Sequence, residues 1–280
     1  MASDLLVCLA CRSVSDGRID LRTLARQDDE LLCECGQRYP VIDGVPVVVP
    51  HPEDVAVETD PPVNEVLAHL SIYLDSHWGS RGPLFERVAA LPPVGSTVEL
   101  GCSVGGVLAV LPGQRLVGIE LGLAAARRAR HLLAGEDVPY QRRVIGRHYE
   151  PAIAHGAARA ATIVCADALD PPLVPGVFDR VVALNLLDSV NDPGQLLPVV
   201  DALARPGGEI VLSCPYQWIT PDPPFGADPA AELVAILRTG AGLRAPYEIL
   251  EEAELDWVLR RDARSQLGYR IHYVRARKGS

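Results

Sequence analysis

The stretch Val98-Glu-Leu-Gly-Cys-Ser-Val-Gly-Gly-Val107 constrains the fold of this chain most. A short apolar run, 97–100, ends in Gly101, and Gly105 and Gly106 follow. A second apolar run, Arg115-Leu-Val-Gly-Ile119, closes on an acid, Glu120. The pattern reads as a strand, a glycine turn, the start of a helix and a second strand that ends in a carboxylate. Glycine lets the backbone come close to a ligand, and a helix start offers it free N–H groups. A carboxylate about 20 residues beyond the turn can take both hydroxyls of a ribose. Dinucleotide enzymes share such a turn, so the glycines alone do not decide the ligand. Two details separate the readings. Glu99 stands two residues before Gly101, and no third glycine stands where the dinucleotide fingerprint places one.

Around this stretch the periodicity alternates. Helical spacing runs over 64–74 and 84–91, ahead of the first strand. After Glu120 come an Ala/Arg/Leu helix at 123–133 and a segment from 138 to 161 that is longer than a usual crossover, as an insertion would be. A third strand, 161–168, carries Asp167 at its end. A fourth, 178–187, is nearly all apolar, as a strand buried on both faces should be. A helix at 196–203, a turn and strand at 205–215, a helix at 230–237 and strands at 254–260 and 269–275 complete the chain. Strands alternating with helices predict a parallel sheet covered on both faces.

The glycine turn, with acids ending successive strands, resembles the first motifs of class I S-adenosylmethionine (SAM) methyltransferases. The resemblance implies an α/β, Rossmann-like fold: a mostly parallel seven-stranded sheet with a closing antiparallel hairpin, and early helices that lid the cofactor pocket. It implies SAM as cofactor. Gly101 and the backbone through Cys102 and Ser103 to Gly105 would receive its methionine end and Glu120 would hold the ribose, with Glu99 and Leu121 also in the cofactor-binding set. Asp167 would accept from the adenine amine while the N–H of Ala168 donates to a ring nitrogen. Asn185 and Leu186 fall at the carboxyl end of the fourth strand, where ligands of open α/β sheets sit.

The first 50 residues follow another logic. Cys8-Leu-Ala-Cys11 is one knuckle and Cys33-Glu-Cys35 a second, and four thiolates from two knuckles can close a tetrahedral zinc site. A segment this short has little core, so a metal would supply stability. The run 39–50 reads as an apolar strand broken by a turn at Asp43-Gly44. Residues 5–50 resemble the small zinc-ribbon subunit that activates methyltransferases of RNA and of release factors; the string Cys-Gly-x-x-Tyr-Pro-x-x-Asp-Gly-x-Pro from Cys35 carries the likeness. One departure is the single residue, Glu34, inside the second knuckle, a tighter bite than usual. Without zinc, the same cysteines would be reduced thiols on a small β-unit. The expected organisation is therefore a zinc-ribbon-like domain at 1–50, an acidic, proline-rich linker at 51–63 and a methyltransferase domain at 64–280.

Charge and composition narrow the partners. The net charge is -10, and residues 1–50 hold five Arg against eight Asp and Glu. A nucleic-acid partner needs a basic face, so that class is disfavoured. No signal peptide and no apolar run of membrane-spanning length is visible, which predicts a cytoplasmic protein without a membrane span. A homodimer stays open.

A narrower resemblance rests on Tyr73-Leu-x-x-His77-Trp-Gly79, Asn185-Leu-Leu-Asp188, Asp192-Pro193 and Ser213-Cys-Pro-Tyr-Gln-Trp218, in that order. These strings look like the methyltransferase domain at the carboxyl end of ovothiol synthases, which N-methylates the imidazole of mercaptohistidine. Trp78 stands where that family usually has Tyr, and the stretch ahead of these strings reads as a zinc ribbon, not as a sulfoxide synthase domain. Catalytic candidates are Tyr73, His77, Asn185, Asp188 and Tyr216: a tyrosine hydroxyl orients an acceptor nitrogen, and a histidine near pKa 6.5 takes its proton. The expected function is methyl transfer to a small molecule, with an imidazole or amino-acid-like nitrogen as acceptor. An RNA base methyltransferase and a silent SAM-fold partner protein are the alternatives.

Overall fold

The computed structural model describes residues 3–15, 18–52, 55, 66–79, 81–220 and 223–280. The N-terminal unit is made of short antiparallel strands. β1 (Ser13–Ser15) pairs with β2 (Arg18–Asp20), and β3 (Ala25–Gln27), β4 (Glu30–Leu32), β5 (Arg38–Ile42) and β6 (Val45–Pro46) follow one another in a second sheet. Asp43 and Gly44 turn the chain between the last two, both at positive φ. Of the expected linker 51–63, all but residues 51, 52 and 55 lies outside the described residues.

The larger sheet is preceded by helices α1 (Val66–Trp78) and α2 (Pro83–Ala89). Then come β7 (Val94–Leu100), β8 (Gly113–Glu120), α3 (Leu123–Leu133), β9 (Val138–Ile145), β10 (His148–Ala154), β11 (Ala161–Cys165) and β12 (Phe178–Leu184). The chain ends with α4 (Pro193–Leu203), β13 (Ala204–Cys214), α5 (Pro229–Thr239), β14 (Tyr247–Arg260) and β15 (Gln266–Lys278). Seven strands form one sheet in the order β11-β8-β7-β12-β13-β15-β14, and β15 runs against the direction of the other six. This is the Rossmann-like, mostly parallel architecture with a closing hairpin. The apolar runs explain it: Val98, Leu100, Val117, Ile119, Val181 and Val182 are buried on both faces of the central strands.

Three local expectations change. The glycine stretch does not open a regular helix; 101–111 is a series of turns, with Ala109 N bonding Gly105 O at 3.1 Å and Leu111 N bonding Val107 O at 3.0 Å. Gly105 sits at φ 76°, which interrupts helical backbone before it can propagate. α4 and α5 start earlier than their apolar periodicity suggests. Asp192 and Asp228 cap them by accepting from Gln195 N and Ala231 N, and a proline fills the first helical position of each. The long segment after α3, left without an assigned element by the sequence, is an antiparallel hairpin of β9 and β10.

The N-terminal unit shares its core with the large sheet: Leu6, Leu31 and Tyr39 pack in one cluster with Val98, Val117 and Val164. Val47 pairs in parallel with Cys165, and Val48 N bonds Cys165 O at 2.8 Å. The edge of β11 is thereby covered, which removes a row of open backbone groups.

Candidate functional site

At the carboxyl ends of β7, β8 and β12 lies a cavity of about 330 Å³. A second, of about 290 Å³, adjoins it and reaches the end of β11. Gly101, Glu120, Leu186 and Ser189 belong to both walls, so the two form one cleft across the point where the strand order reverses. α1 and α2 close the first cavity from above with Tyr73, His77, Leu84 and Phe85.

Gly101 adopts φ 71°, and a Cβ there would fall 2.7 Å from Leu186 Cδ1. Only glycine lets the backbone turn under Leu186 at the floor of the cleft. At Gly106 a Cβ would lie 2.4 Å from His77 Cβ, so this second glycine lets α1 approach the turn. Trp78 fastens the contact by donating from Nε1 to Val104 O at 2.8 Å.

Glu120 is held by the backbone. Its Oε2 accepts from Ser103 N at 2.9 Å and its Oε1 from Gly122 N at 2.8 Å. Burial raises its pKa, and the amides of Gly122, Ser103 and Leu121 oppose that rise. Glu99 is buried, and its Oε2 has no hydrogen-bond partner. Burial, with the Glu120 carboxylate second, pushes it up to about 8, which favours the protonated form. Asp167 lines the second cavity with Leu121 and Ala168, its Oδ1 accepting from Leu169 N at 2.8 Å. Cys102 and Ser103 line the first cavity. Gly105 lies off both walls; a Cβ there would fall 3.0 Å from Ala129 Cβ of α3.

The five catalytic candidates separate. Tyr73, His77 and Asn185 line the first cavity. His77 is buried, packed edge-on between Tyr73 at 5.3 Å and Phe85 at 5.2 Å, and its Nδ1 has no partner. Burial, with Arg81 second, lowers it to about 4. The expectation of a base near 6.5 therefore changes: this imidazole is neutral throughout the physiological range and accepts hydrogen bonds more readily than protons. Asn185 sits at φ 51° with its Oδ1 accepting from Ser213 Oγ at 2.8 Å. Asp188 and Tyr216 lie off both cavity walls. Asp188 accepts from Gln217 N at 2.6 Å, and Tyr216 OH meets His272 Nδ1 at 2.8 Å, whose Nε2 faces Glu252 at 3.2 Å. Both brace the loop after β13. The sequence reading missed Phe85, Ser189 and Trp257, which join the wall of the first cavity.

In the N-terminal unit, the sulfurs of Cys8, Cys11, Cys33 and Cys35 all lie within 4.8 Å of one another. Cys8 and Cys35 are 3.7 Å apart, Cys11 and Cys33 3.5 Å. Tetrahedral thiolates at a Zn–S distance of about 2.3 Å stand ~3.8 Å apart, so the short Cys33-Glu-Cys35 bite is compatible with one metal.

Comparisons with known proteins agree with this geometry. A family model described as a methyltransferase domain matches residues 98–212, from β7 through β13. Tocopherol O-methyltransferase of Arabidopsis thaliana is 29% identical over 118 residues, covering 41% of this chain and 28% of that protein. Ubiquinone biosynthesis O-methyltransferase of Pseudomonas paraeruginosa is 30% identical over 125 residues, covering 42% of this chain and 44% of that protein. The chain thus spans less than half the length of these curated relatives. Among solved structures, a chain in the complex of the Haloferax volcanii Trm112 methyltransferase activator with a methyltransferase superposes with a TM-score of 0.50. Identity there is 14%, with 76% of this chain and 94% of that chain covered, a likeness of fold. Among the described residues no helix is long and apolar enough to cross a membrane.

Proposed function

We propose, with the methyltransferase domain at residues 98–212 as the premise, that this protein is a SAM-dependent methyltransferase acting on a small molecule. The observation that carries the reading is the divided cleft whose halves meet at Gly101 and Glu120. The donor and acceptor set fits the cofactor. Glu99, Glu120 and Asp167 lie at or just beyond the carboxyl ends of three strands around one cleft, and a sulfonium, an ammonium, two ribose hydroxyls and an adenine amine are groups they can meet. When bound, SAM supplies an electrophilic methyl group.

The chain's own residues supply position. Glu120, locked by two amides, would grip the ribose, and Asp167 with the N–H of Ala168 the adenine edge. In-line displacement depends mainly on alignment. Tyr73, His77 and Asn185 would orient the acceptor, with neutral His77 accepting a hydrogen bond from the atom to be methylated. Asp188 and Tyr216 would hold the loop after β13 beside it. The finer reading is an N–H on an imidazole of a histidine or thiohistidine derivative, supported by the Tyr73…His77 and Tyr216…Trp218 strings. The four cysteines would hold a structural Zn²⁺ in the 1–50 unit, built in ahead of the 64–280 catalytic unit.

Radiolabelled SAM incubated with the full chain and histidine, thiohistidine, phenolic quinol or metabolite fractions tests the reading. Label transfer to an imidazole nitrogen supports the finer proposal, and transfer to a phenol replaces it with O-methylation. Absence of S-adenosylhomocysteine (SAH) binding by calorimetry refutes the enzyme assignment.

A further inference from the structure

The hairpin of β9 and β10 is accounted for by none of the cofactor contacts, yet two of its polar side chains reach one carboxylate of α1. Asp75 of α1 lies between the cavity-lining Tyr73 and His77 in sequence, but off both cavity walls. Its carboxylate is 14% exposed and takes groups from two separate elements. Tyr140 OH of β9 donates to Oδ1 at 3.1 Å, and Arg142 of the same strand pairs with that oxygen at 3.6 Å. Arg260, at the end of β14, pairs with Oδ2 at 3.4 Å. The two hairpins also touch each other: Ala263 N, between β14 and β15, bonds Val144 O at 2.9 Å. Burial, and then the Asp75 charge, pushes the Tyr140 phenol up to about 12, so it keeps the proton it donates.

We propose that Asp75 is a positioning residue, the latch through which the two hairpins set the rotation of α1 over the cleft. The inference rests on the methyltransferase reading for what the cleft holds. Trp78, the last residue of α1, donates a hydrogen bond to Val104 O, and the rest of the helix is seated by apolar contacts, which leave rotation loosely determined. Leu70 and Leu74 seat α1 against Val104, Leu132 and Val138, a patch that fixes the distance of the helix from α3 and β9. Hydrogen bonds are directional, and one residue is about 100° of helix rotation, so a carboxylate held from two sides selects one angle. At that angle Tyr73 and His77 form cavity wall. Release of Asp75 leaves α1 to its apolar seat and the Trp78 bond at its end, so Tyr73 and His77 are held less firmly in the cleft wall.

The test compares the full chain with its Asp75→Ala, Asp75→Asn and Arg260→Gln variants by calorimetric SAH binding and by hydrogen exchange of peptides covering 70–78. Asp75→Ala should weaken SAH binding about tenfold and speed exchange in α1 by at least as much, while peptides from β12 and β13 exchange as before. Asp75→Asn, whose carbonyl still accepts from Tyr140, should restore most of both. Arg260→Gln, at an exposed side chain, should move both in the same direction by a smaller factor. Exchange in α1 within twofold of the parent in Asp75→Ala overturns the proposal, as does acceleration shared equally by the whole sheet. If the parent itself binds no SAH, the methyltransferase reading falls, and the exchange comparison alone decides the latch.

Discussion

The backbone amide of Val7 donates to the carbonyl of Pro172 at 2.9 Å. Val7 immediately precedes the metal-site candidate Cys8, and Pro172 lies five residues beyond Asp167. On the same loop Arg12, next to Cys11, forms an ion pair with Asp170. On the other side Val48 N holds Cys165 O. The segment that carries Asp167 is therefore bracketed at both ends by the cysteine-rich unit.

With zinc held by the four cysteines as proposed, its removal should be felt in the cleft. Chelation, or Cys8→Ser, is expected to lower Tm by more than about 5 °C and to weaken SAH binding, because an unfolded knuckle releases Val7 and Arg12 together. Thermal melts and calorimetry with and without chelator check this. Unchanged SAH affinity in a demetallated, melted ribbon would show the contacts to be incidental.

Gly101→Ala should impair binding without dismantling the sheet. A left-handed φ costs a non-glycine residue ~1–2 kcal/mol, and the added methyl must displace Leu186. SAH affinity is expected to fall by roughly tenfold or more, with circular dichroism retained. Affinity equal to the parent's would place the ligand elsewhere.

Glu99 should make stability fall as pH rises. Its folded pKa of about 8 lies above the ordinary 4.5, so the folded state holds the proton more tightly. That contribution is fully present below about 4.5 and is lost as pH rises through 8, a change on the order of a few kcal/mol. Glu99→Gln should flatten the slope, leaving the variant relatively more stable at pH 8 than at pH 5. Urea titrations at the two pH values measure it.

His77 acts in the opposite sense. Its folded pKa of about 4 lies below the ordinary 6.5, so the unfolded chain takes the proton first. Stability is complete above 6.5 and declines as pH falls toward 4. His77→Asn should therefore resist acid better than the parent between those limits. For methyl transfer, no inflection attributable to His77 is expected near pH 6.5; a step there that disappears in His77→Asn would contradict a neutral imidazole.

What could be read in advance was whatever depends on neighbours in sequence. The turn at Gly101, the acids closing β7 and β8, the cysteine pairs and the Asp43-Gly44 turn are local demands of backbone geometry or ligand spacing. Reading stopped where side-chain direction depends on distant packing. Asp188 and Asn185 share one short string, yet Asn185 faces the cavity while Asp188 turns to the amide of Gln217. Trp257 reaches the cavity wall from a strand at the far edge of the sheet, and nothing in its neighbours announces that.

The sequence by itself determined the alternation of strands and helices, the glycine floor and the acids around it, because these follow from steric freedom at single residues and from hydrophobic period. Tertiary structure alone decided that burial lowers the pKa of His77 and raises that of Glu99, and that Asp75 ties α1 to two hairpins. Each depends on which groups burial removes from water and which partners long-range packing brings within hydrogen-bond reach.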